Sequence, residues 1–164
     1  MFTRIKQAVI IIVFSSLLAV AVNLASSNRI PFKGNWPSII STDSVAVPPS
    51  AAEGDPEFIT LDEAAAKYQS DKTIFIDARD PEDYAHGHIA GSINIPYDYI
   101  DDYMDMLRAI PKDRDVIIYC SGTECELSLF LGRDMQYEGY EKIFVFYGGW
   151  REWQNAKLPI EGGE

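Results

Sequence analysis

The stretch TIFIDARDPEDYAHGHIAGSINIP, from Thr73 to Pro96, decides the fold. Its opening, Thr73–Asp77, is a short apolar run, which predicts a strand buried on both faces. Pro81 to His86 is polar and predicts one short helix. Ser92 to Ile95 predicts a second strand, closed by Pro96.

Working outward toward the C-terminus, Tyr97 to Ile110 carries Ile100, Met104 and Leu107 at helical spacing. Asp115 to Tyr119, DVIIY, predicts a central buried strand. Cys125 to Gln136 predicts a helix packed on a sheet through Leu127, Leu129, Phe130, Leu131 and Met135. Lys142 to Tyr147 predicts a last strand, after which Gly148-Gly149 opens a helix around Trp150 and Trp153. Toward the N-terminus, Phe58-Ile59 begins a strand, and Thr60 with Glu63 forms a capping box ahead of a helix over 61–68. Short buried strands alternating with helices imply an α/β fold, a parallel sheet covered on both faces. Chemistry in such sheets gathers at the carboxyl ends of the strands.

The folded domain is expected over 56–164, behind a linker at 27–55 and an N-terminal segment at 1–26. Pro31, Pro37, Pro48, Pro49, Gly34 and Gly54 break any regular period in the linker, although Ile30, Phe32 and Trp36 are apolar enough to pack nearby. The run from Ala8 to Ala25 is uncharged and just long enough to span a bilayer as a helix. Arg4 and Lys6 precede it, which predicts a membrane anchor with the domain on the outer, periplasmic or extracellular, side. The alternative is a signal peptide cleaved near Ala19 or Ala21, which secretes the domain.

The net charge of −11 argues against nucleic acid as a partner, since phosphate backbones demand Lys and Arg. Two cysteines, Cys120 and Cys125, make no disulfide framework, and together with His86 and His88 they match no zinc spacing. No metal site is expected. Cys120 instead stands where a buried strand ends, ahead of a turn-forming Gly122 and a helix start. Backbone N–H groups and the helix dipole would there favour an anionic sulfur, thiolate or persulfide. The alternative is a buried, inert cysteine.

Ile76 to Pro96 resembles the first signature of the rhodanese family: a strand ending Asp-x-Arg, then Glu-x-aromatic-x-x-Gly-His-Ile-x-Gly. Tyr119-Cys120 resembles that family's catalytic strand end, and Gly148-Gly149-Trp150 its closing signature. The resemblance implies a sulfurtransferase that passes a sulfane sulfur from a small donor to a thiol or cyanide-like acceptor through a Cys120 persulfide, without a cofactor. Ser121, Gly122, Thr123, Glu124, Cys125 and Glu126 would form the substrate-binding loop. Asp77, Arg79, His88 and Gly91 match the signature as residues that hold the fold.

Two departures matter. The loop carries no Arg or Lys and instead has Glu124 and Glu126, which disfavours a dianion such as thiosulfate. Related phosphatases place Arg six positions after the Cys, where this chain has Glu126, so phosphate-ester hydrolysis is not expected. Cys125 is the second departure. It either packs inertly or serves as a resolving thiol, which opens two further readings: a dithiol redox module using Cys120 and Cys125, or a binding module without turnover.

Overall fold

A computed structural model describes residues 2–25 and 45–163, which fall into two compact units. The first contains α1, Phe2–Ala25. Within it, Ile5–Asn23 has a mean hydropathy of 2.3 and is long and apolar enough to cross a membrane. Ile30, Phe32 and Trp36 lie outside the described residues.

The second unit is the α/β domain. Its strands are β1 (Glu57–Phe58), β2 (Thr73–Asp77), β3 (His88–Ile89), β4 (Ile93–Asn94), β5 (Asp115–Tyr119), β6 (Ile143–Phe146) and β7 (Ile160–Glu161). Its helices are α2 (Leu61–Tyr68), α3 (Pro81–His86), α4 (Ile100–Arg108), α5 (Leu127–Tyr137) and α6 (Gly149–Asn155). Five strands form one parallel sheet in the order β1-β6-β5-β2-β4. The central strand is therefore the one that leads into Cys120.

Side chains alternate across β5 and build two cores. Val116 and Ile118 face Leu107 of α4 and Leu131 and Met135 of α5. Ile117 and Tyr119 face the opposite layer, with Ala64 of α2 and Trp153 of α6. Ile117, Ile118, Tyr119 and Trp153 are fully buried, and burial of each such side chain favours folding by about 1.5–3 kcal/mol. Trp153 makes edge contacts with Tyr68, Phe75 and Phe146, and its indole N–H donates to the Pro159 carbonyl at 2.8 Å.

The expected capping box is present: the Glu63 N–H donates to Thr60 Oγ1 at 3.2 Å, and the Thr60 N–H to the Glu63 carboxylate at 2.8 Å. Two expectations need correction, and one pairing is new. The helix expected from Cys125 begins at Leu127, because the Cys125 N–H is held by the Gly122 carbonyl at 2.9 Å in a turn of its own. The helix expected over 97–110 starts as a 3-10 turn, Tyr97–Tyr99, and is α-helical only over α4. The antiparallel pair β3–β7 was not expected; its strands have two residues each, too few for a period to register.

The described end of the expected linker is tied to the domain. Arg133 of α5 forms two hydrogen bonds to the Asp55 carboxylate, at 2.7 and 2.8 Å, and one to the Ser50 carbonyl at 2.9 Å. Pro56 closes this strap against Gly132 of α5.

Candidate functional site

The parallel register aligns Asp77 of β2 with Tyr119 of β5, so two turns leave the same sheet edge side by side. The β2 turn is built around Arg79. Its guanidinium meets Asp77 at 2.6–3.1 Å and donates to the Gly87 carbonyl at 2.7 Å. Burial works against the Arg79 charge, but the hydrogen bonds and charge of Asp77 more than offset it, so its pKa is raised. The Asn94 amide ties the turn down by donating to the Asp77 and Arg79 carbonyls. His88 is buried, stacks on Tyr84 at 3.7 Å between ring centroids, and has Nδ1 2.8 Å from the Tyr84 carbonyl. Gly91 turns the chain at φ +74°.

Tyr119 clamps the end of β5. Its hydroxyl accepts from the Ile89 N–H at 3.0 Å and lies 2.9 Å from Ser92 Oγ. Burial pushes its pKa far up, so it stays neutral at any working pH. Cys120 follows, 1% exposed.

Ser121, Gly122, Thr123, Glu124, Cys125 and Glu126 then form one loop, and it is braced by α6. The Trp150 N–H donates to the Cys120 carbonyl at 2.8 Å, and the Arg151 N–H to the Ser121 carbonyl at 3.1 Å. This approach requires Gly149, at φ +62°, because a Cβ there would collide with the Cys120 carbonyl and come within 2.9 Å of the Gly122 nitrogen. The Tyr147 hydroxyl donates to the Thr123 carbonyl at 2.5 Å. Among the described residues, the N–H groups of Thr123, Glu124 and Glu126 donate to no other backbone group.

Cys120 and Cys125 are joined as a disulfide across the loop, with Cα atoms 6.2 Å apart, inside the normal bridging range. Cys125 is half-buried while Cys120 is buried.

The two acidic loop residues are both engaged. Glu126 accepts from Ser50 Oγ of the strap at 2.6 Å. Glu124, 74% exposed at its side chain, faces the Arg151 guanidinium at 3.8 Å. The loop itself lacks a cation, but the site does not. A cleft of about 360 Å³ beside the loop is lined by Ser121, by Arg79, Asp83 and His86 from the β2 turn, and by Trp150 and Arg151 from α6. The Arg79 guanidinium lies 5.3 Å from the Trp150 ring centroid. The sequence reading passed over Arg151. The signal was its place directly after Gly148-Gly149-Trp150, where the chain leaves the strand next to β5. Among the described residues no cluster of three or more His, Cys, Asp or Glu side chains could hold a metal ion.

The family model of the rhodanese-like domain matches residues 60–156, and the chain belongs to that family. A sulfurtransferase of Allochromatium vinosum is 31% identical over 96 residues, 58% of this chain and 84% of that protein. The HTH-type transcriptional regulator Rv0324 of Mycobacterium tuberculosis is 34% identical over 120 residues, 73% of this chain but only 51% of the regulator. A tRNA uridine(34) hydroxylase of Erwinia tasmaniensis is 29% identical over 97 residues, and this chain covers 27% of it. The chain thus spans about half of the regulator and about a quarter of the hydroxylase. Among solved structures, the BH2092 protein of Bacillus halodurans matches with a TM-score of 0.59 at 23% identity, covering 65% of this chain and 77% of that one. The rhodanese-like domain of the Anabaena Alr3790 protein matches with a TM-score of 0.54 at 24% identity, covering 66% of this chain and 80% of that one. At these identities the structural matches establish the fold.

Proposed function

We propose that the domain is a sulfurtransferase in which Cys120 accepts a sulfane sulfur as a persulfide and hands it to a thiol or cyanide-like acceptor. The observation that carries this reading is the placement of Cys120. It ends the central strand, in a braced loop with N–H groups that donate to no other backbone group, beside a cleft holding two arginines. Backbone amides and a helix N-terminus stabilise an anionic sulfur, so both thiolate and persulfide gain from the same cradle. Arg151 also revises the expectation about donors. Arg79 is engaged with Asp77 and Gly87, so the cation a thiosulfate or thiosulfonate would meet in the cleft is the exposed Arg151. The sulfurtransferase relative and the shared family support this reading without fixing the donor.

The disulfide favours a second reading, a dithiol redox module that exchanges electrons with a partner through Cys120 and Cys125. We further propose that α1 tethers the domain to a membrane, with the domain on the outer side. Arg4 and Lys6 ahead of the apolar span support that orientation.

The test is thiocyanate formation from thiosulfate or a thiosulfonate and cyanide by the reduced full-length chain. Activity is expected in the wild type and a loss of about a thousandfold or more in Cys120→Ser. Equal activity in the variant, with an unchanged circular dichroism spectrum, would refute the role of Cys120.

A further inference from the structure

Resting on Cys120 as the sulfur carrier, we infer that Cys125 resolves the Cys120 persulfide within the loop, so that the domain releases its sulfur as hydrosulfide and ends in the disulfide state. Three observations lead there. The Cys120–Cys125 bond lies within one loop, with Cα atoms 6.2 Å apart. That loop is fixed at both cysteines: α6 donates to the Cys120 carbonyl, and the Cys125 N–H is held by Gly122. The two cysteines also differ in access, Cys120 being buried and Cys125 half-buried.

The chemistry balances. In loading, the Cys120 thiolate attacks the outer sulfur of a thiosulfonate. An S–S bond forms, and the sulfur–sulfonyl bond breaks with its electron pair leaving on a sulfinate. In resolution, the Cys125 thiolate attacks Cys120 Sγ. The Cys120–Cys125 bond forms, the outer S–S bond breaks, and its electron pair leaves on the outer sulfur, which takes the proton given up by the Cys125 thiol and departs as hydrosulfide. The two cysteines are oxidised by two electrons and the sulfane sulfur is reduced by two. No external redox partner enters this single turnover.

Regeneration requires a dithiol reductant, small molecule or protein. Burial of Cys120 directs its first thiolate to Cys125 Sγ, with Cys120 as the leaving thiolate. The second thiolate of the reductant then attacks its own sulfur in the mixed disulfide. This frees Cys125 as a thiolate and leaves the reductant as a disulfide.

The step also gives the loop its direction. An intramolecular nucleophile at fixed distance outcompetes a dilute acceptor by effective concentration. An external thiol competes only when it reaches the outer sulfur before Cys125 reaches the inner one.

The experiment uses the full-length chain in detergent, reduced, freed of reductant and loaded with an aromatic thiosulfonate. Its leaving group is a sulfinate, so any hydrosulfide comes from resolution. Wild type is expected to release one hydrosulfide per chain, at a rate independent of protein concentration, and to finish two hydrogens lighter than the dithiol. Cys125→Ser is expected to take up one sulfur and keep it, with hydrosulfide release slower by about tenfold or more. Uptake of that sulfur shows that the variant is folded and competent. If wild type holds its sulfur as long as Cys125→Ser, the resolving step is wrong while sulfur transfer stands. If neither chain takes up sulfur, both fall.

Discussion

The turns after β2 and β5 leave the same sheet edge in register, yet they are built in opposite ways. The β2 turn closes on itself: Asp77, Arg79, Gly87 and Asn94 use their polar groups on one another, and the central ion pair is buried. The β5 loop is held from outside. Its carbonyls are bonded by α6, its two cysteines by each other, and its carboxylates by an exposed arginine and a strap serine. A turn that satisfies itself is architecture. The loop instead carries an exposed ion pair and a bond that reduction can break.

The contrast can be broken at several points. Asp77→Ala leaves the Arg79 guanidinium buried without its partner, and a loss of about 3–5 kcal/mol is expected in urea unfolding. A loss below about 1 kcal/mol would mean that the β2 turn is not self-contained. Gly149→Ala strikes the brace instead. Its Cβ collides with the Cys120 backbone, and we expect about 1–3 kcal/mol of destabilisation together with a larger proportional loss of sulfur transfer. Stability lost without activity would show that the loop tolerates displacement.

Arg151→Ala removes an exposed cation whose contact with Glu124 contributes little to folding. It is expected to raise KM for an anionic donor several-fold with kcat nearly unchanged and stability unmoved. Glu124→Gln should move KM the other way, because it frees Arg151.

The smallest effect concerns the strap. The hydrogen bonds from Arg133 hold the Asp55 carboxyl below its ordinary value of 3.8, against a smaller opposing effect of desolvation and with added help from the Ala52 N–H. A depressed folded pKa means that this stabilisation is complete above 3.8 and is lost as pH falls through the lower folded value. Arg133→Met should therefore flatten the acid limb of the stability curve slightly, read by thermal melts across that range.

Much of the fold was legible because its signals are local. The strand over 73–77, the capping box at Thr60 and Glu63, and the spacing from Asp77 to Gly91 each sit within a few residues of sequence. Cys120 was legible as the residue that follows a buried strand into a loop, and its role remains a proposal. What escaped were contacts between segments far apart in the chain. Arg151 reaches Glu124 from the next strand's exit, Arg133 reaches back to Asp55, and β3 pairs with β7 over two residues. None of these leaves a period or a motif. The acidity of the loop was read correctly from Glu124 and Glu126, but its consequence depended on partners that only the folded chain supplies.

The most direct test of the central claim is where the sulfur sits. Full-length Cys125→Ser, which has no internal resolving thiol, is loaded with a thiosulfonate, alkylated and mapped by peptide mass spectrometry. The account predicts one extra sulfur on the peptide containing Cys120, removed by cyanide. No added sulfur on that peptide, from any sulfane donor, would contradict it.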